Sequence, residues 1–85
     1  MEYIIVAFRS RTHTVGFSNY LSKLNIKNEI INTPKEAGVG CGLSVKVSSG
    51  YFTQVKQCVF NTKLSSFAGF FLVKNLSGAR IVRSI

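Results

Sequence analysis

The sequence predicts an α+β domain of the ferredoxin-like type: a β-α-β-β-α-β chain with a four-stranded antiparallel sheet, two helices on one face, and a tail able to add a further strand. Three observations point there. The chain is 85 residues long and 46% apolar, enough for one domain with a thin core. Two segments repeat apolar residues at helical spacing, and four short runs are rich in Ile, Val, Leu and Phe. Their order lets each helix join two strands, which right-handed crossovers resolve into that sandwich. No linker divides the chain, so residues 1–85 read as a single domain with 75–85 as its tail.

Each element has its own signal. Glu2 to Phe8 (EYIIVAF) is apolar at both alternating positions, as a central strand is. Ser10, Thr12 and Thr14 then offer capping oxygens, and Phe17, Leu21 and Leu24 recur at i, i+4 and i+7 on a first helix. Asn25 is a stop signal. Lys27 to Asn32 (KNEIIN) reads as a second strand, closed by Thr33-Pro34 because proline cannot donate to a ladder. In the third strand Leu43, Val45 and Val47 alternate with Ser44, Lys46 and Ser48, which predicts one apolar and one polar face. Ser48-Ser49-Gly50 breaks it and offers a cap to a second helix, where Phe52, Val55 and Val59 recur with Cys58 beside their stripe. Phe67 to Val73 (FAGFFLV) is the fourth strand, predicted at the sheet edge. Ser77-Gly78 is a turn, and Ile81, Val82 and Ile85 can form a short fifth strand.

The same pattern predicts an assembly. The first and fourth strands are apolar on both faces, and helices cover only one. A lone chain would expose a row of large side chains, which soluble surfaces avoid. A homodimer is therefore expected, with Ile81, Val82 and Ile85 helping to cover the sheet.

Eleven Lys and Arg against three acids give a net charge of +8, which favours acidic partners. The longest apolar runs fall far short of a membrane span, and the N-terminus does not read as a secretion signal, so a cytoplasmic protein with reduced thiols is expected. Two Cys and one His cannot fill a tetrahedral metal site, no pair of carboxylates serves acid–base work, and no cofactor motif stands out.

The candidate site lies in TPKEAGVGCGLSVKV, Thr33 to Val47. Gly38, Gly40 and Gly42 alternate around Val39 and Cys41, so this is a loop that carries a thiol. The predicted topology brings the end of the first strand, the start of the first helix and this loop to one end of the sandwich. Cys41 is then expected to be exposed near Arg9, Ser10, Arg11 and His13, at the positive end of a helix, where a thiol ionises more readily. Gly40 and Gly42 would leave room for a bulky partner to approach the sulfur. Cys58 reads as a core residue. Three functions remain open on residue types. Cys41 can hold a sulfur or selenium atom as a persulfide-type adduct. The charge and topology also fit a nucleic-acid-binding module, although the third strand has no aromatic for base stacking. The Arg9–His13 turn could instead cradle a small anion.

The strand ending in Phe8-x-Ser10, together with Pro34 followed seven residues later by Cys41-Gly42, resembles the small bacterial proteins known as selenium/sulfur (Se/S) carrier-like. The resemblance covers about Met1 to Val59. Lys35 stands where that pattern has Arg, and Gly38-Val39-Gly40 replaces a loop richer in Ile and Ser. It implies a carrier rather than a stand-alone enzyme: Cys41 would accept the atom from a donor protein and pass it to an acceptor.

Overall fold

The computed structural model describes residues 2–85. The chain forms β1 (Glu2–Phe8), α1 (Arg11–Lys23), β2 (Asn28–Asn32), a 3-10 turn (Lys35–Ala37), β3 (Leu43–Ser48), a second 3-10 turn (Ser49–Tyr51), α2 (Phe52–Thr62), β4 (Phe67–Leu76) and β5 (Ala79–Ser84). It is an α+β protein with two helices and a five-stranded antiparallel sheet in the order β2-β3-β1-β4-β5. The sheet has one more strand than the four expected. Because β4 runs on to Leu76 and turns back through Ser77 and Gly78, both at positive φ, β5 pairs along it from Phe71–Ser84 to Leu76–Ala79. β4 is thus an interior strand, and the edges are β2 and β5.

β1 is central, hydrogen-bonded to β3 on one side and β4 on the other, and Ile4 to Phe8 are all buried. Its side chains divide between two clusters. Ile4, Val6 and Phe8 join Phe17 and Leu21 of α1, Val55 and Cys58 of α2, and Val45, Val47 and Phe70 of the sheet. Ile5 and Ala7 face the other way, with Phe71 and Val73. The expected open face is closed by the chain itself. Ala37 and Val39, from the segment between β2 and β3, lie over this second cluster with Tyr3, Ile31 and Val82. Ile5, Ala7 and Val73 are consequently 0% exposed. The surface that a homodimer was expected to cover is already covered.

Other local differences follow from packing. α1 is capped by Ser10, whose hydroxyl accepts the His13 N–H at 3.2 Å. It ends in a Schellman turn: Asn25 takes φ 61°, its N–H reaches Ser22 O and the Ile26 N–H reaches Leu21 O. Leu24 is therefore the exposed C-cap rather than part of the apolar stripe, and Ile26 is buried in its place. β2 begins at Asn28, not Lys27, because the Asn28 side chain is used to tie α1 to the strand, accepting from Ser18 and donating to Ser22 and to Ile26 O. Ser48 gives α2 no side-chain cap; a 3-10 turn leads into the helix instead. Ser44 is buried on the supposedly polar face of β3, beneath the folded-over segment, where it bonds Thr33 Oγ1 at 2.7 Å. No described helix is long and apolar enough to cross a membrane.

Candidate functional site

The loop that carries Cys41 is fixed at three points. Thr33 N–H donates to Gly42 O at 2.9 Å and closes its base. The Lys35–Ala37 turn ends on Gly38 at φ 65°, which sends the chain back over the sheet. The Cys41 N–H then donates to Phe8 O at 3.1 Å, pinning the loop to the last residue of β1. The glycines serve this path. At Gly40, φ is 96° and a Cβ would lie 3.3 Å from Phe8 O, so both conformation and space demand glycine. Gly42, at φ 93°, has open space and is set by conformation alone.

The pinned backbone brings the thiol to the first turn of α1. Cys41 Sγ lies 3.6 Å from Thr14 Oγ1 and donates to Leu43 O at 3.7 Å. Thr14 is fully buried; its one hydroxyl hydrogen donates to Ser10 O at 3.0 Å beside the neutral thiol and can turn to the sulfur when the thiol ionises. The thiol is half-buried rather than exposed. Burial pushes it up, but the backbone at Leu43, the Thr14 hydroxyl, the Cys41 backbone and the Arg11 charge together hold it below the ordinary thiol value. Cys58, in the core on α2, has only burial acting on it and is pushed up. Both cysteines are free.

Of the residues expected around the sulfur, the structure brings Ser10 and Arg11 to it through the helix start, and Gly40 and Gly42 through the loop. His13 is drawn elsewhere: its Nδ1 hydrogen-bonds Ser66 Oγ at 2.5 Å, between α2 and β4. Arg9 is exposed and uses its backbone N–H on Ser66 O at 2.8 Å. Thr14 was visible in the sequence only as one of three capping candidates. Its contact with the thiol spans 27 residues, and nothing local marks it.

A second feature of the loop lies on its far side. Glu36 receives two hydrogen bonds from Arg80 of β5, Nε at 3.0 Å and a terminal guanidinium nitrogen at 2.8 Å. The Arg80 guanidinium holds the Glu36 carboxyl below its usual range. The loop is therefore attached to β1 near the thiol and to β5 across the second face.

Chemically, the arrangement presents one sulfur on a backbone held at several points, with a buried hydroxyl and a helix N-terminus on one side. It can stabilise a thiolate and the anion left when that thiolate carries a further chalcogen atom. No curated protein and no solved structure matches the chain. A family profile described as "Putative Se/S carrier protein-like" matches residues 2–66, a span from β1 through α2 that includes Cys41 and its loop. The chain belongs to this Se/S carrier-like family.

Proposed function

We propose that the protein is a thiol-based carrier that holds sulfur or selenium on Cys41, within a ferredoxin-like framework extended by β5. The observation that carries this reading is the half-buried Cys41 thiol, drawn below its ordinary value by Leu43, Thr14 and Arg11, in a chain of the carrier-like family. The transfer needs no external oxidant. The Cys41 thiolate attacks the outer sulfur of a donor persulfide, R–S–SH. The new S–S bond makes Cys41–S–SH, and the donor leaves as its thiolate. An acceptor nucleophile then takes the outer sulfur, and its electron-pair attack returns Cys41 as thiolate. A perselenide follows the same balance with selenium as the outer atom.

Arg11 and the helix start favour the anionic forms, whereas Arg9 and His13 belong to the neighbouring Ser66 contact. A nucleic-acid reader of this topology would use the sheet face opposite the helices. Here Ala37 and Val39 occupy that face, which favours the carrier.

Incubation with a small-molecule persulfide, followed by intact mass before and after dithiothreitol, tests the reading. One labile sulfur is expected on the natural chain and on Cys58→Ala, and none on Cys41→Ser. An adduct that survives Cys41→Ser, or no adduct at all, overturns it.

A further inference from the structure

A carrier has to meet its partners, and one surface of this molecule is built like a meeting place. Between α2 and β4 runs a groove of about 560 Å³, floored by Val59, Phe67 and Phe70 and rimmed by Lys56 and Gln57. Phe60 stands at its side 73% exposed, more than any other large apolar side chain among the described residues; the next, Leu76, is 52% exposed. The core does not explain this, because Val55 and Cys58 already bury the inward side of α2.

Charge is divided between the layers in a way that selects an occupant. None of the three acids is on a helix, and each is paired: Glu2 with Lys74 at 3.8 Å on the helix-facing side of the sheet, Glu29 with Lys46 at 3.4 Å and Glu36 with Arg80 at 2.8 Å. The helices contribute cations and no carboxylate. α1 carries Arg11 and Lys23, and the stretch from Phe52 to Ser66 carries Lys56 and Lys63. A second copy of the chain would set one +8 surface against another with no acid on the helical layer to answer it. A partner with apolar side chains flanked by Asp or Glu would fill the floor and neutralise the rim.

The groove is also close to the thiol. Phe67 pairs with Phe8 across the β1–β4 ladder, their rings 6.0 Å apart, and Phe8 O holds the Cys41 N–H. Two inter-strand spacings separate the groove's end from the loop, about 10 Å. We infer that the α2–β4 groove is the docking surface for an acidic, apolar segment of a partner protein, with Phe60 as its anchor. This rests on the carrier reading for its purpose: a donor or acceptor seated there would have Cys41 within reach.

The test uses the full chain, labelled for amide NMR, and a synthetic amphipathic peptide with Leu on one face and Glu on the other. The expected result is a shift of amides in α2 and Phe67–Phe70, binding that weakens with salt, and weaker binding by more than about tenfold in Phe60→Ser. Phe60 is at the surface, so that variant keeps the fold, which its unchanged remaining amide spectrum would confirm. A peptide with Lys in place of Glu should not bind. Equal binding of the Lys peptide, or shifts away from the groove, overturns the proposal. So does a single-stranded oligonucleotide that shifts the same amides more tightly than the Glu peptide, or a dimer in light scattering that Phe60→Ser dissolves. Persulfide loading of Cys41 in Phe60→Ser separates the two readings: it should be unchanged, so docking and carriage can fail independently.

Discussion

Cys41 and Cys58 are the same residue in one small protein, and their surroundings push them in opposite directions. Cys58 sits on α2 at 6% exposure, among the aliphatic and aromatic side chains of the core, and burial alone raises its thiol. Cys41 also loses water, and burial is the largest single influence on it. Around it, however, are the backbone at Leu43, a buried hydroxyl from Thr14, the backbone of Cys41 itself and the charge of Arg11. Together these outweigh the loss of water and lower the thiol. Cys58 is the deeper of the two and has burial alone acting on it; at Cys41 the polar groups that accompany the sulfur offset burial.

The widest gap between the two should appear in alkylation. Cys41 is expected to react in the folded protein, while Cys58 waits for the chain to open. For a domain with stability near 5 kcal/mol, that protection is about a thousandfold or more. Iodoacetamide labelling followed by mass mapping measures both rates. Leu21→Ala sharpens the contrast. Leu21 is fully buried against the same cluster as Cys58, so its truncation costs about 2–5 kcal/mol and should speed Cys58 labelling at least thirtyfold. The Cys41 rate in the molecules that remain folded should not change. Equal rates for the two thiols in the natural chain would break the comparison.

The core half of that contrast was legible in the sequence, and the loop half was not. Helical spacing put Cys58 beside Val55 and Val59, and β3 is observed over Leu43–Ser48 as read. Asn25 and Ser77-Gly78 marked real turns because positive φ favours few residues. These are local signals. The segment from Pro34 to Gly42 has no period, and Ala37 and Val39 are too small and too sparse to announce that they cover the second face. The length of β4 was hidden by Lys74 and Asn75, polar residues tolerated there because β5 lies alongside. The proximity of Cys41 to the start of α1 follows from the topology read in the sequence. The Thr14 contact with the sulfur spans 27 residues and the His13 ring contact with Ser66 spans 53, so neither has a local signal.

Removing the groups that set Cys41 apart should draw it back toward an ordinary thiol. Thr14→Val keeps the shape and deletes the hydroxyl. It is expected to slow Cys41 labelling at neutral pH by about two- to twelvefold, the worth of one hydrogen bond of about 0.5–1.5 kcal/mol. The folded thiol lies below its ordinary value, so labelling falls as pH drops through that lowered value. Thr14→Val should move the whole rate profile to higher pH, and Thr14→Ser should restore it. Arg11→Ala should move it the same way but less, because Arg11 is exposed and salt screens its charge. A merely structural role for Thr14 would change stability and leave the midpoint of the pH profile in place.

The smallest effect should come from the far side of the loop. Glu36 and Arg80 are both exposed, and exposed ion pairs hold little even when two hydrogen bonds join them. The Glu36 carboxyl is held below its usual value of 4.5, so its support is present above that pH and is lost as pH falls through the lowered value. Glu36→Gln at neutral pH, or the natural chain under acid, should therefore lower the protection of the Ala37 and Gly38 amides relative to their intrinsic exchange rates at the same pH. The Cys41 rate at neutral pH should change by less than about twofold, because its N–H remains bonded to Phe8 O and the Thr14 contact does not depend on β5. Cys58 should not respond at all. If Glu36→Gln slows Cys41 as much as Thr14→Val does, the thiol is set by how firmly the loop is clamped to β5. The contrast between the two cysteines would then be one of loop anchoring, and not of the polar groups in contact with the sulfur.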